Sequence, residues 1–403
     1  MWKLALRNVL RHKARSAFTL LAIGAGVVGI VLSGGFVQDI YVQLGEMLIH
    51  SQSGHVQVSR TGYQERGARS PEKYLLEDTG PLRHSITSLP QVDDVMGRVF
   101  FSGLLNNGRS DLPIIGEGIE PDRERRLGST LHITAGRQLE DGDTGGILIG
   151  HGLAQALQLE PGDRAILLLN TTGGAVNSLD VDVIGVFQSF SKDYDARAVR
   201  IPLATAQDLL ATAGVNTLVV SLKRTQDTDA VQRVLSERLA GQDLEVKTWH
   251  ELNDFYAKTV TLYDVQFGAL RLIILLMVLL SVANSVNTSV YERVAEFGTM
   301  MALGNRSRVV FRLILAENCL LGLAGAGLGV VLGVILALAI SAVGIPMPPP
   351  PNSDLPYTGQ IRLVPSVVAG AFVVGFLATV GAALMPALKV RRIPVVDALR
   401  QAV

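Results

Sequence analysis

Four apolar stretches, each about as long as a bilayer's hydrocarbon core is thick, set the terms on which this chain can fold. They run over about Ala17–Val37, Phe267–Val290, Val309–Val343 and Leu363–Leu388. A helix needs roughly 20 apolar residues to cross a membrane, and with no water in the hydrocarbon every backbone polar group must find its partner inside the segment. All four runs meet that length. The third exceeds it, so it must tilt or project. Pro365 falls in the first turn of the fourth, where a missing N–H costs little. The chain is expected to be a membrane protein with four transmembrane α-helices.

A basic start followed by an apolar run also fits a secretory signal peptide. Here the run is too long for one, and no small-x-small site with a clear boundary follows it, so a retained first span is expected. Bulk composition agrees: 48% hydrophobic but only 5% aromatic residues, with a mean hydropathy of +0.33. Formal net charge is zero and gives no footprint for nucleic acid. Cys319 is the only cysteine, so any soluble part folds on its core without an intramolecular disulfide.

Lysine and arginine bias sets the expected orientation. Basic residues dominate the N-terminus, the connection around Arg293, Arg306, Arg308 and Arg312, and the C-terminus with Lys389, Arg391, Arg392 and Arg400. All three belong in the cytoplasm, placing both termini there. The expected layout starts with an elbow helix over 1–16 and a first span with its stalk over 17–50. A large mixed α/β periplasmic domain on helical stalks follows over 51–250, then a stalk and second span over 251–290. A cytoplasmic connection occupies 291–308 and the third span 309–343. A proline-rich outer loop over 344–362, the fourth span over 363–388 and a cytoplasmic tail over 389–403 complete the chain. Four consecutive prolines in the outer loop preclude helix there.

Within the insert, strand patterns fall at 55–59, 146–150, 164–169, 179–187, 216–223 and 244–249. Helical patterns fall at His151–Gln158, Leu203–Ala213 and Thr228–Ala240. Turn signals such as "EPGD" separate them. Ile40, Leu44, Met47 and Leu48 continue a helical stripe beyond the first span.

Enzyme motifs are missing. There is no Gly-Lys dipeptide and hence no P-loop, no HExxH, and no GxSxG elbow. The residues that stand out lie in and between the spans. Glu317 sits in the third apolar run, where a carboxylate costs on the order of 2.5–3.5 kcal/mol at mid-bilayer. It reads either as a carboxylate bonded to a neighbouring helix or as a substrate or proton contact. Gly325, Gly329 and Gly333 form a ridge that admits another helix closely, from the same chain or a second subunit. Asn284, with Ser281, Asn287 and Thr288, offers hydrogen bonds across helices near the end of the second span.

Lys3, Arg7, Arg11 and Arg15 recur every four residues, with Trp2, Leu6, Val9 and Leu10 opposite. That pattern predicts an interfacial amphipathic helix, with a solvated basic tail as the bland alternative. The connection "YERVAEFGTMMALGNRSRVV" carries charges together with an apolar stripe of Val294, Phe297 and Met301. An exposed amphipathic helix of this kind needs a partner groove, or else lies on lipid. Val294, Phe297 and Met301 are the expected anchors, Glu292, Arg293 and Glu296 the orienting charges, and Gly304-Asn305 the helix stop.

"NSVNTSVYERVAEFGTMMALG" resembles the signature of the MacB/FtsX/lipoprotein-release family of ABC transporter permeases, at Asn284, Glu292, Arg293, Glu296, Gly298, Ala302 and Gly304. "AENCLLGLAGAGLG", "PALKVRRIPVVDALR" and "LALRNVLRHKARSAFT" are similar to its third span, C-terminal ending and elbow helix. "AGRQLEDGDTGGILIGHGLAQALQLEPGDRAILL" is similar to its periplasmic domain. Together they cover nearly the whole chain. The resemblance implies a non-catalytic permease that binds no cofactor, paired with a second copy or a paralogue. Each permease chain would dock one of two copies of a separate cytoplasmic ATPase, which carries ATP and Mg. The connection would act as coupling helix, through Glu292, Arg293, Val294, Glu296, Phe297, Gly298, Met301 and Gly304. The implied setting is the bacterial inner membrane. The implied work is extracting or exporting a lipoprotein, lipid or other amphiphile at its outer face, with a lipoprotein or periplasmic adaptor as further partner. FtsX-like control of a cell-wall hydrolase and MacB-like export of peptides or antibiotics are the alternatives. The chain carries no ATPase of its own, in contrast to MacB, and is closer in layout to the lipoprotein-release permeases.

Overall fold

A computed structural model describes residues 2–67, 70–127, 131–189, 191–349 and 356–390. Within them four helices are long and apolar enough to cross a membrane, and a mixed α/β domain is inserted between the first and second. The tail expected over 389–403 lies outside the described residues from 391 onward, as does the centre of the proline loop, 350–355. The chain divides into two compact units. One comprises Met1–Val42, Thr259–Met347 and Thr358–Val403; the other comprises Gln43–Lys258 and Pro348–Tyr357.

In the first unit, an elbow helix, Trp2–Arg11, breaks at His12 before the first long helix, Lys13–Leu48. The second long helix is Asp254–Glu292, the third Ser307–Val343, and the fourth Pro365–Val390, starting on its proline as expected. At about 1.5 Å per residue, the 36 residues of the first long helix extend about 54 Å, well beyond a hydrocarbon core of about 30 Å. The break at His12 corrects one expectation. Arg15 does not continue the basic face of Lys3, Arg7 and Arg11; it belongs to the first long helix.

The glycine ridge closes on the same chain. Gly325, Gly329 and Gly333 face Ile23, Val27 and Val31, which are themselves four residues apart on the first long helix. A Cβ on Gly329 would lie 2.7 Å from Val27 Cβ and 2.9 Å from the Gly24 carbonyl oxygen, so only hydrogen fits. The glycine ridge, meeting Gly24 on the first long helix, thereby brings backbones close enough for dispersion to replace the hydrophobic drive that lipid removes. At the end of the first unit opposite the elbow, buried Asp39 accepts from Gln360 N at 2.7 Å and from Arg362 Nε at 3.0 Å.

The second unit is built on ten strands: β1 Val56–Arg60, β2 Val92–Asn106, β3 Asp111–Ile119, β4 His132–Gly136, β5 Gly146–Gly150, β6 Arg164–Asn170, β7 Val176–Gln188, β8 Ala198–Pro202, β9 Thr217–Leu222 and β10 Leu244–Thr248. Their order is β10-β1-β9-β2-β3-β8-β5-β7-β4, with β6 bridging β2 and β7. β2 serves two cores. Its first half pairs with β9 beside Val56, Val58, Ile86, Leu218 and Leu235; its second half pairs with β3 and β6 beside Phe101, Leu105, Ile147, Leu153 and Val183. β3 is a strand despite Pro113, Gly116 and Gly118. The Phe101 ring lies where a Cβ on Gly116 would be, so the aromatic fills the gap that glycine leaves.

Two buried arginines fix how the chain leaves the first long helix. That helix ends in a π-turn, Ile49–Ser53. Arg98 of β2 donates to the Gln52 carbonyl, and Arg200 of β8 donates to the Ser51 carbonyl at 2.9 Å. Helix-end carbonyls lack intrahelical partners and carry partial negative charge, so a guanidinium answers both needs. Each arginine is only 1% exposed and is neutralised in turn: Arg98 by Glu124, bidentately, and Arg200 by Glu117, which also accepts from the Tyr194 hydroxyl at 2.7 Å. Burial pushes the Glu124 carboxyl toward neutrality, but the Arg98 charge and its hydrogen bonds win and hold it below the usual carboxylate range.

His55 lies beside this turn, 2% exposed. Its Nδ1 accepts from the Leu222 N–H at 3.2 Å, which leaves the proton on Nε2, 3.3 Å from Thr225 Oγ1. Burial, followed by the nearby His50 charge, pushes its pKa down to about 4. The folded chain therefore refuses a proton that the unfolded chain accepts below pH about 6.5, and stability falls as pH drops through the window from 6.5 to 4. Between pH 7 and pH 5 we expect a loss on the order of 2 kcal/mol from this group. His55→Asn keeps an acceptor for Leu222 and cannot titrate. Its thermal midpoint in detergent should fall less with acid than that of the parent chain; equal slopes would refute the assignment.

Candidate functional site

The charged connection and the third long helix meet at one ion pair. Arg293, at the N-terminus of the short helix Val294–Ala302, donates from Nη1 to Glu317 Oε2 at 2.8 Å. The two side chains are 7% and 10% exposed. Asn8 of the elbow helix donates to the other oxygen, Glu317 Oε1, at 2.6 Å. One carboxylate thus joins three elements distant in sequence: the elbow, the connection and the third span. Glu317 is thus a buried carboxylate bonded to two neighbouring elements. Arg293 also contacts Glu296 at 3.1 Å through Nε and lies over the Phe297 ring, 5.0 Å from its centroid.

On one side of that pair the packing is apolar. Phe297 is 2% exposed and Val294 4%, and both pack with residues such as Val290, Val310, Ile314 and Ala383. Here the structure corrects the sequence reading. Of the expected outward anchors Val294, Phe297 and Met301, the first two are covered by the chain's own helices, as is Gly298. Met301 is half-buried. The reason is geometric: the connection folds back so that its apolar stripe completes the core below the second and third spans.

What faces outward is a different set. Leu303 is 81% exposed and Tyr291 67% exposed. Glu292, Glu296, Thr299, Ala302, Arg306 and Arg308 are also on the surface. Gly304 ends the helix at φ 91°, as expected of a glycine stop, and Asn305 N returns to Met300 O at 3.1 Å.

Arg15 anchors the other side. It donates to Ser289 Oγ at 2.8 Å and pairs with Glu292. Arg11 reaches Glu296 only at 4.0 Å, in solvent. Lys3 and Arg7 are exposed, as are Trp2, Leu4, Leu6 and Leu10, while Ala5 is buried against Leu313 and Ala316. The elbow helix therefore keeps its basic and oily faces outward and packs by its smallest side chain. A small, partly open cavity of about 40 Å³ lies among Asn8, Arg15, Arg293, Glu317 and Asn318. That is room for a water molecule or two beside polar groups. Asn284 is exposed on the second long helix and is not part of this node; Gly325, Gly329 and Gly333 lie farther along the third, in the ridge already described. Sequence reading missed Asn8 and Leu303; the only signals were an amide on an otherwise apolar or basic helix, and a leucine just before a helix-ending glycine.

Two family matches cover the chain: the MacB-like periplasmic core domain over residues 16–238 and the FtsX-like permease C-terminal region over residues 268–395. It is 25% identical over 424 residues to the macrolide export ATP-binding/permease protein MacB of Shewanella sp. strain ANA-3, covering 98% of this chain and 60% of that protein. It is 25% identical over 421 residues to the lipoprotein-releasing system transmembrane protein LolC of Xylella fastidiosa strain 9a5c, covering 97% of this chain and 96% of that protein. The crystal structure of the periplasmic region of MacB from Actinobacillus actinomycetemcomitans aligns with 53% of this chain and 95% of its own, at 15% identity and a TM-score of 0.37.

Removing one member of a buried ion pair strands the other and costs about 3–5 kcal/mol, whereas replacing both with apolar groups can be nearly neutral. We therefore expect Arg293→Met and Glu317→Met each to lower the thermal midpoint of the detergent-solubilised chain strongly, and the double variant to recover most of the loss. Additive losses would show that the two side chains act separately.

Proposed function

Because this chain belongs to the ABC transporter permeases that carry a MacB-like periplasmic core domain and an FtsX-like C-terminal region, we propose that it is the permease subunit of an ATP-driven complex in the inner membrane. A separate cytoplasmic ATPase, in two copies, binds and hydrolyses ATP with Mg. Two permease chains, identical or paralogous, receive its motion. The observation that carries this reading is the Arg293–Glu317–Asn8 node. A force applied to the connection reaches the third span and the elbow through charged hydrogen bonds between buried side chains, where such contacts are stiff.

The surface on which the ATPase acts is the exposed edge of the connection. Leu303 is its apolar tip, with Tyr291, Glu292, Glu296 and Thr299 beside it. An apolar side chain this exposed at the end of a short helix suits insertion into a partner's groove. Phe297, by contrast, acts from inside, as the packing base of the short helix.

The cargo we propose is a lipoprotein, lipid or other amphiphile handled at the outer face of the membrane. Support comes from the end-to-end correspondence with LolC, since 96% of that protein's length is matched, whereas the chain spans only 60% of the MacB relative.

Leu303→Asp changes a side chain that the protein itself does not pack, so the fold should persist. We expect the variant to lose the co-purifying ATPase at least roughly tenfold, as truncation of a hot spot by about 1.4 kcal/mol or more does. Unchanged recovery and unchanged ATP turnover of the complex would remove the connection from the ATPase interface. Photo-crosslinking from position 262 in nanodiscs tests the cargo: capture of a lipidated protein or lipid is expected, and capture of only a soluble hydrolase would replace transport with signal transmission.

A further inference from the structure

A second cavity opens beside the node and shares Arg15 with it. It measures about 690 Å³ and lies between the elbow–span junction and the second long helix. One wall is basic, carrying Arg11, Lys13 and Arg15. The other carries the uncharged polar side chains of Ser281 and Asn284. We propose that this groove binds the headgroup of an anionic glycerophospholipid from the adjacent leaflet.

Charge points to an anion. Arg15 is already neutralised by Glu292, the only acid lining the groove. Arg11 has only a 4.0 Å solvent-exposed contact with Glu296. Among the described residues no carboxylate lies within ion-pair distance of Lys13. Arg11 and Lys13 thus face a groove in which the one lining acid among the described residues is already paired with Arg15. A cationic pocket between membrane helices on this side suits a phosphate-bearing headgroup.

Hydrogen-bonding capacity points the same way. Ser281, Asn284 and Thr288 form an exposed polar stripe that directly follows the exposed apolar run of Leu272, Ile273, Leu276, Met277 and Leu280. Thr288 turns its hydroxyl back to the Asn284 carbonyl, but the Asn284 amide makes no side-chain hydrogen bond among the described residues. An amide left against hydrocarbon is costly; one that donates to a phosphate oxygen is not.

The apolar surroundings supply the rest of a lipid. Phe18, 75% exposed, lines the groove, and Leu21, Met277 and Leu280, each more than 60% exposed, continue away from the basic wall along both helices. A phosphate at Lys13 and Arg11 would leave its acyl chains on that surface. A second copy of this chain fits the groove less well, because a symmetric partner presents the same basic wall and like charges repel.

This inference depends on the chain being embedded in a membrane and is independent of ATP coupling, so it is tested without the ATPase. The full-length chain in detergent is titrated with 1-palmitoyl-2-oleoyl phosphatidylglycerol or with the matching phosphatidylcholine, and bound lipid is counted by native mass spectrometry. We expect phosphatidylglycerol to be preferred. Arg11→Gln with Lys13→Gln should reduce that preference by roughly fivefold per charge removed, and Asn284→Leu should weaken phosphatidylglycerol without unfolding the chain. Equal binding of the two lipids by the parent chain would overturn the proposal, as would a preference untouched by all three substitutions. Full displacement of the lipid by millimolar inorganic phosphate would overturn it in favour of a soluble-anion site. Asn284→Cys chains that cross-link to each other and hold no phosphatidylglycerol would overturn it in favour of a second copy.

Discussion

A carboxylate buried among apolar helices cannot be neutral to its surroundings. Unpaired, Glu317 would cost several kcal/mol, and every element that approaches it must either satisfy it or stay away. The chain satisfies it twice, with Arg293 on one oxygen and Asn8 on the other. Those two bonds dictate where the connection and the elbow may sit. Once Arg293 is held there, its neighbours Val294 and Phe297 are carried inside, and Arg15 on the far side finds Ser289 and Glu292. The same charge that is expensive in the membrane therefore specifies the arrangement of a region that hydrophobicity alone would leave loose.

The second unit uses the same device. Arg98 and Arg200, paired with Glu124 and Glu117, are buried in a sheet that could have been filled with valine and leucine. Apolar replacements would pack, but they could not reach the Ser51 and Gln52 carbonyls at the end of the π-turn. Dispersion is non-directional and fixes distance more than orientation. Guanidinium–carbonyl bonds fix orientation, so the π-turn is held on the sheet by charge as well as by packing volume.

Much of this was legible from the sequence, for identifiable reasons. Spans show because twenty consecutive apolar residues have few other meanings. β5, "GILIG", and β6, "RAILLL", show because they are short apolar runs between turn signals. β2 and β3 did not show. β2 carries Asp93, Asp94, Gly97 and Arg98, and β3 carries Pro113, Gly116 and Gly118. Their strand character depends on contacts distant in sequence, such as Phe101 over Gly116 and Glu124 on Arg98. The glycine ridge was visible as a ridge, but its partner was not, because Ile23, Val27 and Val31 look like any apolar face. Glu317 was visible as an anomaly; Asn8, its second partner, lies 309 positions away and carries no local mark.

The most instructive divergence concerns the apolar stripe of the connection. Sequence periodicity identifies a face that wants to leave water and is silent about who covers it. A free amphipathic helix and a helix tucked under its own spans have the same pattern. The structure resolves this through Arg293: a cation paired 24 residues ahead on the third span cannot be paired while the helix hangs free. Burial of the stripe also changes the mechanics. A helix attached only by flexible ends would absorb a push by tilting. One whose inner face is packed and whose N-terminus is ion-paired passes the push to the third span and the elbow. In the proposed coupling the outward surface then needs only a small foothold, and Leu303, raised on the turn before Gly304, is the exposed apolar side chain placed to supply one.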